Sequence, residues 1–122
     1  MSGPRFLLDT NVVIGLVNGP GAARNLVDLN EAPPDVCAVS QISGIELLSF
    51  PALSADEEAR INVLLTAVTV IVLDDRIERE TIALRRRIRM KLPDAVIAAT
   101  ARVHGLKLLT LDERLEAAFN GA

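Results

Sequence analysis

Apolar residues in this chain fall into two kinds of run. Short, nearly continuous runs occupy Arg5–Leu8, Val36–Val39, Val68–Leu73 and Lys107–Thr110. Continuous apolarity without polar alternation is the pattern of strands covered on both faces. Longer stretches with helical patterning lie between them, over Val12–Val17, Gly21–Leu29, Gln41–Ser49, Ala55–Ala67, Asp75–Met90, Asp94–His104 and Glu113–Phe119. The breakers agree with these limits: Pro33–Pro34 precede the second strand, Pro51 follows a helix, Pro93 opens one and Gly105 closes one. Strands alternating with helices predict an α/β fold, a parallel sheet with helices on both sides. Ligands of such sheets gather at the carboxyl ends of the strands. With 122 residues and no internal repeat or long linker, residues 1–122 are expected to form one domain.

Four carboxylates interrupt this pattern in places where a solvating acid is not expected. Asp9 directly follows the first strand, inside FLLDTNVVIGL, and Asn11 stands two residues on. Asp112 follows the last strand in KLLTLDERL. Either aspartate also suits the cap of the next helix. Glu46, in SQISGIELLSF, sits behind a plausible Ser40 cap and on a helical wheel lies on the side of Ile42, Ile45 and Ser49. Asp94, in KLPDAVIAATA, follows Pro93 in a first turn, where the helix dipole favours an acid. It also aligns with Ala98 and Ala101, a small-residue face suited to close packing on the sheet.

Taken together, the four acids are expected to meet at one sheet edge, where their repulsion calls for a divalent cation. Hard oxygen donors select Mg²⁺ or Mn²⁺. The single histidine, His104, and the single cysteine, Cys37, offer no zinc cluster; Cys37 reads as a small core residue of a strand. An ion held by carboxylates lowers the pKa of a bound water and stabilises charge developing on phosphate oxygens, which points to phosphoester hydrolysis. Asn11 and Thr110 are placed to orient ligands from behind. No glycine-rich nucleotide loop is present.

Composition sharpens this picture. Half of the residues are apolar, but only three are aromatic, all Phe, so the core is aliphatic and base stacking is not an obvious route to RNA. The net charge of −3 argues against broad attraction to nucleic acid but permits a local basic patch. ALRRRIRMK, residues 83–91, is the dense basic run, and Arg85, Arg86 and Arg89 are expected to share a helical face as a phosphate clamp upstream of Asp94. The same arginines also suit a helix C-terminus whose start carries Asp74, Asp75, Glu78 and Glu80. Ile61, Leu64 and Leu65 of the Ala55–Ala67 helix are expected in the core, with a dimer or partner groove as the alternative. One cysteine, no apolar segment of membrane-spanning length and an N-terminal run broken by Asp9 predict a cytoplasmic protein.

DTN after the first strand, SQISGIEL with Glu46, DAVIAATA with Asp94 and LLTLD with Asp112 resemble, in order and spacing, the PIN-domain ribonucleases. The nearest likeness is to the free-standing VapC-type toxins of bacterial toxin–antitoxin pairs. The resemblance implies a PIN-like three-layer α/β/α sandwich with a central parallel sheet of four to five strands. It also implies Mg²⁺- or Mn²⁺-dependent endonucleolytic cleavage of RNA, a homodimer and a VapB-like antitoxin partner. Asp9, Glu46, Asp94 and Asp112 map onto the family's acidic quartet, with Asp9 and Asp94 as principal metal ligands. Many relatives carry an aromatic soon after the fourth acid, whereas here Leu115 and only then Phe119 follow. Two other readings remain: a PIN-like protein-interaction module without significant nuclease activity, and a haloacid-dehalogenase-type phosphatase, whose second aspartate is here Asn11.

Overall fold

The computed structural model describes residues 3–121. Its strands are β1 (Phe6–Leu8), β2 (Cys37–Ser40), β3 (Thr69–Ile71) and β4 (Lys107–Leu109). Helices α1 (Thr10–Val17), α2 (Ala22–Leu29), α3 (Gln41–Leu48), α4 (Ala55–Ala67), α5 (Asp75–Arg87), α6 (Leu92–His104) and α7 (Glu113–Gly121) join and follow them, with a 3-10 turn at Pro34–Val36. The strands form one parallel sheet in the order β3-β2-β1-β4.

Strand register explains why the runs are apolar without alternation. Leu7 pairs with Ala38 on one side and Leu108 on the other, and this row faces Ile77, Leu84 and Ile97 of α5 and α6. Leu8 pairs with Val39 and Leu109, and that row faces Val12, Val13, Val27 and Ile61 of α1, α2 and α4. Successive residues thus serve opposite cores, so both of these paired rows are apolar. The result is a three-layer α/β/α sandwich. Gly15 permits one close helix contact: a Cβ there would fall 2.5 Å from the Cβ of Ala23, so α1 and α2 touch nearly backbone to backbone.

The third strand and α5 end earlier than expected for physical reasons, while most other ends move by one or two residues. The third strand stops at Ile71, and Val72 and Leu73 are exposed beyond it, because β3 is the sheet edge and is covered less completely. Helix α5 ends at Arg87 instead of running to Met90. Ile88 is extended (φ −131°, ψ 137°), and Ile88 and Met90 pack on the core while Arg89 between them is exposed, the period of two of an extended chain. Gly105 ends α6 in the left-handed region (φ 64°), with Leu106 N–H donating to the Ala101 carbonyl and Gly105 N–H to that of Arg102. Ile61 is buried, and Leu64 and Leu65 pack against the core, as expected of α4. Among the described residues no helix is long and apolar enough to cross a membrane.

Candidate functional site

The chain leaves β1 toward β2 on one side of the sheet and returns last as β4 on the other, which makes the β1–β4 gap the point where strand order reverses. Crevices open there at the carboxyl ends of parallel strands. The Asp9 N–H donates to the Leu109 carbonyl at 2.9 Å, tying the ends of these two strands together. Asp9 follows β1 at once, and Asp112 follows β4 after Thr110 and Leu111.

Asp9 is 5% exposed and caps α1 in an unusual way: its Oδ1 accepts from the N–H of Thr10, the first helical residue, at 2.8 Å. Its Oδ2 is turned to β4, where the Thr110 hydroxyl donates at 2.7 Å. That hydroxyl in turn accepts from the Asp112 N–H at 2.9 Å and, at 3.5 Å, from the Asn11 amide. Asn11 Oδ1 accepts from the Leu111 N–H at 3.2 Å, closing a polar ring around the β4–α7 turn. Asn11 and Thr110 therefore stand directly behind the two aspartates. Burial raises the Asp9 pKa above its usual 3.8; hydrogen bonds from Thr110 and Thr10 oppose this, and the nearby Asp112 charge adds to it.

Asp94 occupies the first turn of α6, above Ala98 and Ala101, both buried. Desolvation raises its pKa first, and then the charges of Asp9, Asp112 and Glu46, against a smaller opposing pull from Lys91. All three other acids thus lie close enough to act on Asp94. Among the described residues nothing donates a hydrogen bond to its carboxylate.

Glu46 reaches the site by a different route from the one its helical wheel implies. The buried face of α3 is Ser43 and Leu47, whereas Ile45 is 54% exposed, so Ile45 does not mark the inward side. Glu46 is itself exposed and leans over the rim, where its Oε1 lies 2.9 Å from the Thr10 hydroxyl. Thr10 Oγ1 is also 2.8 Å from the Ser43 hydroxyl. An ionised carboxylate only accepts, so Thr10 donates to Glu46 and accepts from Ser43. Sequence reasoning missed Thr10, Ser43 and Lys91. Ser43 was findable, since it precedes Glu46 by three residues and so shares its side of the helix.

The arginines are not disposed as expected. Arg85 and Arg86 close α5, but Arg89 lies beyond the helix and shares no helical face with them. With Arg87 they line a shallow groove of about 560 Å³, and the Arg85 Nε donates to the Met90 carbonyl at 3.4 Å. No acidic residue lines that groove, nor does Lys91, whose charge acts on Asp94. An apolar cavity of about 480 Å³ between α1, α2 and α4, lined by Leu16, Val27 and Leu64, also holds none of the four acids. Cys37 lines it; burial pushes its thiol up to about 11, so it stays protonated and inert.

Hard oxygens of one sign fit a divalent cation. No three acidic, His or Cys side chains among the described residues close into a ready cage. Mg²⁺ does not require one, being commonly held by one or two carboxylates together with its own waters.

A profile of the PIN domain matches residues 6–119. The chain belongs to the PIN-domain family. No curated protein sequence matches it. Among solved structures, this PIN domain is similar to a toxin–antitoxin complex from Klebsiella pneumoniae, at 34% identity over 91% of this chain and 89% of that one, with a TM-score of 0.77. The fold alone is shared with DNA-bound VapBC from Salmonella typhimurium (24% identity, 93% and 91% coverage, TM-score 0.75). It is likewise shared with VapC20 of Mycobacterium tuberculosis, a sarcin–ricin loop cleaving toxin (23% identity, 93% and 94% coverage, TM-score 0.71). The β4–α7 region departs from the aromatic pattern as the sequence indicates: Leu115 is buried, and Phe119 packs on the core under Arg102, whose guanidinium lies 5.5 Å from the ring.

Proposed function

We propose that this PIN domain is a Mg²⁺- or Mn²⁺-dependent endoribonuclease and the toxin of a type II toxin–antitoxin pair. One observation carries the reading: Asp94, without a hydrogen-bond donor among the described residues, lies in the combined field of Asp9, Asp112 and Glu46 at the strand-reversal edge. Three like charges around a half-buried carboxylate, opposed only in part by Lys91, are costly unless a cation belongs there. Asp9 and Asp94 are the principal ligands, and Glu46 and Asp112 complete the acidic quartet. Bound there, Mg²⁺ or Mn²⁺ supplies a water of lowered pKa and a counter-charge for phosphate oxygens. The protein's own contribution is positional. Thr110 and Asn11 fix the Asp9 carboxylate, and Ser43 and Thr10 fix that of Glu46. Lys91 and the arginines 85, 86 and 89 draw the RNA backbone toward the acids. The likeness to the Klebsiella toxin–antitoxin complex supports an antitoxin partner, and the family resemblance supports a cytoplasmic homodimer.

The test is cleavage of single-stranded RNA with Mn²⁺ or Mg²⁺, with EDTA, and by Asp94→Asn. Cleavage should require the metal and fall by about 10²-fold or more in the variant, as loss of a few kcal/mol of transition-state charge stabilisation demands. Activity that survives both chelation and substitution removes the metal mechanism. Complete inactivity of wild type with retained antitoxin binding leaves the interaction module standing in its place.

A further inference from the structure

The three phenylalanines have separate fates. Phe6 is buried in the sheet, Phe119 is packed beneath Arg102, and Phe50 is 65% exposed. Phe50 follows the C-terminus of α3 and borders a cleft of about 390 Å³ between α1, α3 and α4. The cleft adjoins the acids, since Thr10 and Glu46 line it and also belong to the network around the site. Most of its lining is apolar, Ile14 and Ile61 included, and Glu57, whose carboxylate accepts from the Ser54 N–H in the α4 capping box, also borders it. Asn18 supplies a polar edge, and among the described residues its side-chain amide makes no hydrogen bond. The volume falls at the lower end of the roughly 300–1,000 Å³ typical of small-molecule sites, enough for one flat ring system.

We propose that this cleft receives one unpaired nucleobase of the RNA substrate, stacked on Phe50 and read by the Asn18 amide, next to the phosphate that is cut. The inference rests on the nuclease reading above and assigns that site a specificity pocket. An apolar slot with one aromatic lip and one amide suits a base better than a phosphate, which the Glu46 carboxylate at the mouth repels. An asparagine amide both donates and accepts, so it pairs best with a base edge that does the same, as adenine does with N6 and N7. Recognition of single-stranded RNA by stacking on an aromatic side chain follows the general rule, here with one ring.

The experiment uses a short single-stranded RNA carrying 2-aminopurine, scanned position by position, with the full chain held in EDTA so that it binds without cutting. One position should show quenched fluorescence. Phe50→Ala should relieve the quenching and weaken binding about 10-fold, within the range measured for loss of one stacked base. Phe50→Tyr should restore both. An abasic residue at that position should cost wild type the same factor and Phe50→Ala almost nothing. Asn18→Ala should flatten the preference among the four bases at that position with little change in overall affinity. An abasic penalty that persists undiminished in Phe50→Ala overturns the pocket. So does unchanged RNA binding by Phe50→Ala together with loss of a protein partner, which would make the cleft a protein-docking surface. Failure of wild type to cut RNA with Mn²⁺ is a separate outcome, which removes the nuclease reading and leaves the base-binding measurement to stand or fall alone.

Discussion

The β1–α1 and β4–α7 turns lie side by side at one sheet edge, and each places an aspartate at the start of a helix. The two are held differently. Asp112 caps α7 in the ordinary way: one oxygen accepts from the N–H groups of Arg114 and Leu115, the second and third helical residues, at 2.9 and 3.2 Å. Asp9 takes only the N–H of Thr10 and turns its other oxygen to a threonine on the neighbouring strand. Asp112 is half-exposed, whereas Asp9 is buried with a raised pKa. The capping oxygen of Asp112 faces its own helix, whereas the second oxygen of Asp9 faces across the sheet to Thr110. Both roles are compatible with one residue, and Asp112 shows that a good cap does not exclude a place in the acidic field around Asp94.

Substitutions that keep shape and remove charge break this comparison most sharply. Asp9→Asn should reduce metal-dependent RNA cleavage by about 10²-fold or more, measured as kcat/KM. Asp112→Asn, which still caps well, should lose clearly less. Equal losses would mean that the two aspartates act alike. Thr110→Val comes next. It removes the donor to Asp9 and the acceptor for Asp112 N–H, and should cost about 10- to 100-fold in metal affinity or activity, read by metal titration. An effect on melting temperature alone would reduce Thr110 to a structural role.

The smaller effects concern stability. Asp112→Ala removes the cap of α7 and should destabilise the fold by about 1 kcal/mol in chemical denaturation. In EDTA, the raised pKa values of Asp9 and Asp94 mean that the folded state binds more protons than the unfolded one above pH 3.8. These two groups therefore lower stability as pH rises from about 3.8 through their raised values, and protonation recovers it. Asp94→Asn should flatten that slope in a pH series of melts. A divalent ion should restore it, adding roughly 2.7 kcal/mol at about 100 times its Kd for one native-state site.

Much of this was legible in the chain. Four apolar runs gave the four strands, and Ser54 and Glu57, which exchange hydrogen bonds as a capping box, mark the start of a helix read correctly as Ala55–Ala67. Asp9, Asp94 and Asp112 could be placed because strand ends and first turns are local features. The helical wheel groups Glu46 with Ile45, which is exposed; α3 turns Ser43 and Leu47 inward instead, and Glu46 reaches Thr10 from the rim. Arg89 was misplaced because hydrophobic spacing cannot tell a last helical turn from an extended segment with Ile88 and Met90 tucked in. The Thr10–Ser43 contact joins residues 33 apart in sequence, so only the packing of α1 on α3 reveals it.

Strand β1 is three residues long, with Leu7 serving one core and Phe6 and Leu8 the other. Inserting or deleting one residue there would exchange the two sets between layers and rotate the following carboxylate out of reach of Thr110. Assembly of the layers and aim of the acid thus share a single point of failure. An engineer seeking to retarget this scaffold should leave β1 untouched and work in the turns beyond it.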